Sequence, residues 1–357
     1  MRILITAPSL DENRNVSGIS TIVRQIIDHG TNEYRHFQAG REDGEAANAA
    51  WILKQAALPL RFFAAARTER PDIVHINTAL TDLSIWRDAA LAAAAKLAGR
   101  RLIVAVHGGK YLMNPFTNSR LENITERMLR RADTVIVYSE LEESALRKRW
   151  PDLNIRILAN AIPFSEVPHP ERNNPVPVLI FFGRMHESKG LHELIEAARR
   201  LNEHGVEFEI RAYGDGPLRG FFIDGMTKVA GDKFQYGGVI AGREKWARLA
   251  EADIFVLPSR YGEGLPMAML EAMAVGCVVV VADVASVVAV VNNGENGFVV
   301  EPGNAGQLTA VLEDLIRHPE KWGTVRENAI ATVRDNFGIE EYIETLESIY
   351  AEAIGAA

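Results

Sequence analysis

Val178-Leu-Ile-Phe-Phe-Gly-Arg-Met-His-Glu-Ser-Lys-Gly-Leu191 opens with five apolar residues and continues as a loop carrying Arg184 and Lys189. It then leads into Leu191, Leu194, Ile195, Ala198 and Leu201 at intervals of three and four. A continuous apolar run is what a strand covered on both faces of a parallel sheet requires, and the spacing after it is that of a helix lying on such a sheet. The same texture recurs on both sides. Downstream come Phe208-Glu-Ile-Arg-Ala-Tyr213, Ile254-Phe-Val-Leu257 and Cys277-Val-Val-Val-Val281. Upstream come Arg2-Ile-Leu-Ile-Thr-Ala7, Asp72-Ile-Val-His-Ile-Asn77, Arg101-Leu-Ile-Val-Ala-Val106, Thr134-Val-Ile-Val-Tyr138 and Ile155-Arg-Ile-Leu158. Between the two series Pro163, Pro168, Pro170, Pro175 and Pro177 break the pattern, and proline resists both helix and sheet interiors. The expectation is an α/β chain of two doubly wound domains, residues 1–165 and 166–337. An amphipathic C-terminal helix follows in 338–357, and the sequence does not assign its packing partner.

The 357 residues suffice for two cores at roughly 150 residues each. With 47% hydrophobic and 24% charged residues the composition is that of a globular protein, which excludes a largely disordered, collagen-like or coiled-coil chain. Lysine and arginine number 39 against 47 acidic residues, a net charge of −8 without long blocks of one sign, which argues against a nucleic-acid partner. Cys277 is the only cysteine, so neither an internal disulfide nor a multi-cysteine metal site can form, as suits a reducing compartment. The run Ile3 to Ala7 is too short for a signal-peptide core, and no apolar run reaches the ~18 residues of a membrane span. The expected location is the cytoplasm, free or peripheral on the inner face of the membrane. Arg120, Arg127, Arg130 and Arg131, with Arg147, Lys148 and Arg149, would suit an anionic membrane surface. Interleaved Glu122, Glu126, Glu142 and Glu143 support the other reading, two solvated helix surfaces.

Ligands of open parallel sheets bind beyond the carboxyl ends of the strands, so the residues after each strand are the ones to read for chemistry. The first loop reaches Ser17 and Gly18 at a helix start, where free N–H groups favour a phosphate; Ser17 as a plain N-cap is the alternative. His107-Gly-Gly-Lys110 offers a neutral imidazole for a sugar hydroxyl, or a satisfied histidine beside two turn glycines. Arg184 and Lys189, after Gly183, can clamp a diphosphate and hold the charge that grows on a departing phosphate. In Tyr213-Gly-Asp-Gly-Pro217, Gly214 lets backbone approach a nucleotide, although strand-ending turns of this composition are common.

The most specific stretch is Pro258-Ser-Arg-Tyr-Gly-Glu-Gly-Leu-Pro-Met-Ala-Met-Leu-Glu-Ala-Met-Ala-Val-Gly276. Glu263 lies in a loop, Pro266 suits the first turn of a helix, and Glu271 falls inside that helix. Seven residues separate the carboxylates. At ~1.5 Å rise per residue they stand on the order of 10 Å apart and cannot share a proton. They suit two ends of an extended ligand, a sugar at Glu263 and a ribose at Glu271, with phosphates received by the N–H groups of Gly264, Leu265 and Met267. The helical neighbours of Glu271 are Met267, Ala268, Ala274 and Val275, and a carboxylate on such an apolar face calls for a partner.

Together these stretches resemble the family 4 retaining glycosyltransferases (glycosyltransferase group 1) of the GT-B fold. The resemblance runs from the loop to Gly18 through His107-Gly-Gly, Asn160, Gly183-Arg184 to Lys189-Gly190, and Gly214-Asp-Gly-Pro217. It continues through Glu263-Gly-Leu-Pro to Glu271-Ala-Met-Ala, and on to Asn293-Gly-Glu-Asn-Gly297 and Pro302-Gly303. It implies two facing Rossmann-like domains with a cleft between them. It also implies retaining transfer of a hexosyl unit from a UDP- or GDP-sugar to a saccharide or lipid-linked acceptor, in surface polysaccharide synthesis. Carried over, Arg184 and Lys189 hold the diphosphate, Glu271 the ribose, Glu263 the sugar hydroxyls and His107 the sugar near its reacting carbon. Ser17, Gly18, Gly183, Gly214, Gly264, Leu265 and Pro266 line the donor. The resemblance implies neither cofactor nor metal, because the cationic pair does the work of a divalent ion. Two departures stand out: Ser17-Gly18 replaces a glycine pair, and Ala285-Ser-Val-Val-Ala289 replaces Gly-Gly-x-Pro-Glu. The alternatives are a non-catalytic nucleotide-sugar-binding subunit and a GT-B-like epimerase. A dehydrogenase is disfavoured, since no Gly-x-Gly-x-x-Gly follows the first strand.

Overall fold

The computed structural model describes residues 1–12, 14–42, 45, 49–168 and 172–355. The chain separates into two compact units, one from Met1 to Asn160 together with the segment from Ile339, the other from Ala161 to Gly338. Pro170 of the proline-rich stretch lies outside the described residues.

In the first unit β1 (Arg2–Ala7), β2 (Glu33–Gln38), β3 (Ile73–Thr78), β4 (Arg101–Val106), β5 (Thr134–Val137) and β6 (Ile155–Ile157) form a parallel sheet in the order β2-β1-β3-β4-β5-β6. β3 is buried along its whole length, and β1 and β4 are buried after their first residue, as continuous apolar runs require. The helix Asp82–Leu97 places Ile85, Leu91, Ala92 and Ala95 in a core shared with Phe62, Val74, Val104 and Leu129. The C-terminal helix Ile339–Ile354 belongs to this unit. It buries Ile339, Tyr342, Ile343, Leu346, Ile349 and Tyr350 and packs on the helix Gly18–His29 and on β4. Glu347 accepts from the Thr31 amide and hydroxyl at 2.7 and 2.6 Å, Arg156 pairs with Glu352 at 2.7 Å, and the Tyr350 hydroxyl shares a 2.7 Å hydrogen bond with His75 Nδ1.

In the second unit β7 (Val178–Phe182), β8 (Glu209–Tyr213), β9 (Phe234–Tyr236), β10 (Ile254–Leu257), β11 (Val278–Ala282) and β12 (Phe298–Val300) form a second parallel sheet in the order β12-β11-β10-β7-β8-β9. Every residue of β7, β10 and β11 is buried. The chain runs from β7 outward to β9, then crosses back to place β10 on the other side of β7. A crevice opens where strand order reverses in this way, beyond the carboxyl ends of β7 and β10. Both units therefore have the expected doubly wound α/β architecture, with β2, β9 and β12 added at sheet edges.

Candidate functional site

The two loops that leave the reversal point of the second sheet are locked to each other. Gly190 closes the β7 loop with φ +68°, and a Cβ built on it would lie 1.8 Å from the Pro258 carbonyl oxygen, so only glycine fits. The Arg260 amide donates to the Ser188 carbonyl at 2.7 Å, the Tyr261 hydroxyl donates to Glu187 at 2.5 Å, and Arg260 Nε donates to buried Glu193 at 2.7 Å. This seam brings Lys189 against Glu263. The Lys189 ammonium and the Ser259 hydroxyl both meet Glu263 Oε1, and no described residue donates to Oε2. Glu263 is buried and Lys189 largely so, whereas Arg184 is exposed with no carboxylate at ion-pair distance among the described residues. His186 is drawn below its usual pKa by burial, and the cations Arg184 and Lys189 act in the same direction while Glu187 opposes them.

Glu271 has the partner its setting calls for, and that partner is Lys245. Seven of the eight residues of the helix Met267–Ala274 are buried, Glu271 among them, and the ammonium of Lys245 from the helix Gly242–Glu251 pairs with Oε2. Pro266 stands one residue ahead of this helix, at the N-cap, rather than inside its first turn, and Gly264 and Leu265 are buried in the turn before it. The close approach at Gly214 is to the protein's own backbone. A Cβ there would lie 2.0 Å from the Gly183 carbonyl oxygen, while Gly183 donates to Tyr213 at 3.2 Å and Gly214 to Gly238 at 2.8 Å.

In the first unit His107 closes a chain of hydrogen bonds across the carboxyl ends of four strands. Asn77 donates through Nδ2 to the Thr6 carbonyl at 2.8 Å, which fixes Oδ1 as the acceptor for His107 Nε2–H at 2.6 Å. Nδ1 then accepts from the Tyr138 hydroxyl. Burial, with neighbouring His75 adding to it, lowers the His107 pKa to about 3, so the ring is neutral as expected. Both ring nitrogens are occupied, however, and a sugar hydroxyl would have to displace Tyr138 or Asn77. The glycines after it serve the turn: Gly109 has φ +111°, and its Cβ would lie 2.4 Å from the Leu80 amide nitrogen. Ser17 is the N-cap of the helix that begins at Gly18, accepting from the Ser20 amide at 3.3 Å.

Three of the seven basic side chains of the set on the first unit have partners within it. Arg130 pairs with Glu126 and Asp152, Arg147 with Glu143, and Arg149 donates to the Tyr111 and Asn114 carbonyls. Among the described residues no helix is long and apolar enough to cross a membrane, and no three His, Cys, Asp or Glu side chains gather into a metal-holding cluster. Lys245, Ser259, Asn77 and Tyr138 carry the contacts that sequence reading does not find. Asn77, Tyr138 and Ser259 sit at or just past strand ends, where ligand residues are sought, but Lys245 gives no local signal because its partner is distant in sequence.

Residues 166–332 match the family described as glycosyl transferases group 1, and residues 20–161 match the glycosyl transferase 4-like domain. The putative colanic acid biosynthesis glycosyltransferase WcaL of Salmonella typhimurium is 32% identical over 204 residues, covering 54% of this chain and 50% of that protein. The chain thus spans about half the length of this curated relative. Among solved structures, sucrose-phosphate synthase from Thermosynechococcus elongatus aligns with TM-score 0.82 at 17% identity over 100% of both chains. Anabaena HepE in complex with UDP-glucose aligns with TM-score 0.78 at 18% identity, covering 99% of this chain and 100% of that one. These likenesses show the fold, which is GT-B with two Rossmann-like domains.

Proposed function

We propose, from the premise that this chain belongs to the group 1 glycosyltransferases, that it is a retaining hexosyltransferase acting in surface polysaccharide synthesis. The donor is a nucleotide-diphosphate sugar and the acceptor a saccharide or lipid-linked saccharide. The observation that carries the reading is the Lys189–Glu263 pair between the loops that leave the reversal point of the second sheet, with exposed Arg184 on the same loop as Lys189. Arg184 and Lys189 meet the diphosphate, Glu263 takes the sugar hydroxyls through its second oxygen, and Glu271 takes the ribose. Gly264, Leu265 and Pro266 shape the turn beside the phosphates. The bond from the anomeric carbon to the phosphate oxygen breaks as the acceptor oxygen bonds to that carbon, and the acceptor proton passes to the departing phosphate. Lys189, held by Glu263, and Arg184 beside it meet that phosphate and hold its growing charge through an oxocarbenium-like transition state. His107, neutral and bonded on both nitrogens, orders the first unit's strand ends, and it meets the sugar near its reacting carbon only by giving up Tyr138 or Asn77. UDP-glucose bound by HepE supports a UDP-sugar as the first donor to try.

The test is a panel of UDP-, GDP- and ADP-sugars with detection of released nucleoside diphosphate. Turnover with one donor is expected, and Arg184→Ala or Lys189→Ala is expected to abolish it with the fold intact. Full activity in either variant overturns the mechanism. Donor binding without turnover, acceptor present, favours a binding subunit instead.

A lipid-linked acceptor places the protein at a membrane surface. The helix Ala49–Thr68 supports this, since it exposes Ile52, Leu53 and Leu60 and carries Arg61 and Arg67 with no carboxylate of its own, while its Lys54 pairs with Glu45. Flotation with anionic liposomes at low salt tests it; no binding there removes the membrane reading.

A further inference from the structure

We propose that Lys245 is a positioning residue for the nucleotide end of the donor, holding Glu271 so that one carboxylate oxygen stays turned to the ribose diol. This rests on the reading of Glu271 as the ribose contact.

The side chains of Lys245 and Glu271 are 19% and 5% exposed, and each is the other's only ionic partner among the described residues. Burying two charges offsets most of their mutual attraction, so apolar residues of similar size would join the helices Gly242–Glu251 and Met267–Ala274 as well or better. A charged pair kept here has a use other than packing. Lys245 engages Oε2, and no described residue donates to Oε1. Glu263 shows the same arrangement, with a lysine on one oxygen and the other left to a ligand. Both hydroxyls of a vicinal diol can donate to one carboxylate oxygen, which accepts best near the plane of its carboxylate, so an orientation held in advance favours the contact. An ammonium fixed on the inner oxygen supplies that constraint.

The experiment measures, by titration calorimetry, the affinity for whichever of UDP, GDP and ADP the unmodified chain binds most tightly, and for the 2′-deoxy form of the same nucleotide. The unmodified chain should prefer the ribonucleotide by roughly tenfold or more, the worth of a hydrogen bond to a charged group. Glu271→Gln should lose that preference. Lys245→Met should weaken ribonucleotide binding by a similar factor and bring the ribo-to-deoxy ratio close to one, while Lys245→Arg should restore much of it. A merely structural pair would lower thermal stability in the methionine variant and leave the ratio untouched. Should Lys245→Met not fold, Lys245→Gln takes its place. If Glu271→Gln loses the preference while the Lys245 variants keep it, the positioning role is overturned and the ribose reading stands. If Glu271→Gln keeps it, or no nucleotide binds, the ribose reading itself fails and the positioning role falls with it.

Discussion

Gly190 is where a single hydrogen atom in place of a methyl group decides the site. Its φ of +68° and the Pro258 carbonyl 1.8 Å from any Cβ combine left-handed backbone strain with a clash against rigid main chain. Gly190→Ala should therefore cost more than about 3 kcal/mol, well above the ~1–2 kcal/mol of the strain alone, and displace Lys189 from Glu263. Urea unfolding should show the loss, and calorimetry should show nucleotide binding lost with it; wild-type binding in this variant would refute the interlocked-loop account. Ala285 presents the converse case. It stands at φ +46° at the position where the resembling motif has glycine, so the backbone keeps a conformation its side chain opposes. Ala285→Gly should raise stability by roughly 0.5–1 kcal/mol, read as a higher urea midpoint, and an unchanged or lower midpoint would show the turn to be unstrained. At this scale the sequence says that Glu271 needs a partner, because its helical neighbours are apolar. It cannot say which, because Lys245 reaches it from another helix and tertiary packing alone makes the pair.

How plainly a strand reads depends largely on its burial, although the edge strand β6 still reads from Ile155-Arg-Ile-Leu158. β3, β7, β10 and β11 are buried throughout and read as strands from apolar continuity alone. β2, with Glu33-Tyr-Arg-His-Phe-Gln38, and the three-residue β9 and β12 lie at sheet edges, where one side is unpaired and the apolar signal thins out. The C-terminal helix shows a second limit, since an amphipathic pattern announces that a face is buried but not against what. Its six buried side chains, at about 1.5–3 kcal/mol each, sum to as much as a domain's whole net stability of ~5–15 kcal/mol. A chain ending at Gly338 should therefore lose the first unit's fold. Limited proteolysis should degrade residues 1–160 while 161–338 persists, and a first unit as resistant as in the full chain would show the helix to be dispensable.

For the whole molecule, two series of apolar runs divided by prolines made two units legible, whereas the polar residues sealed inside one of them were not. His75 is the one titratable side chain in the run Asp72–Asn77 after its first residue, and it ends fully buried against Tyr350 of the returning helix. Burial lowers its pKa to about 3, and His107 of the same unit is also lowered to about 3. Unfolded, both titrate near 6.5, so between those values the unfolded chain binds protons that the folded chain refuses. Stability must then rise with pH across this window and fall as pH drops below about 6.5, by up to ~1.4 kcal/mol per pH unit for each histidine. From pH 6.5 to pH 5 the pair removes roughly 3 kcal/mol, a large fraction of a typical domain's stability, and it does so in the first unit alone. Urea midpoints at pH 7.5, 6 and 5 should trace this fall, and hydrogen exchange at pH 5 should quicken in residues 1–160 before 161–338. His75→Gln removes one of the two groups while keeping a polar partner for Tyr350. Its stability at pH 7.5 should be lower, but its slope below pH 6.5 should be about half as steep. A slope equal to that of the unmodified chain would mean that carboxylates elsewhere, and not these two histidines, set the acid limit of the fold.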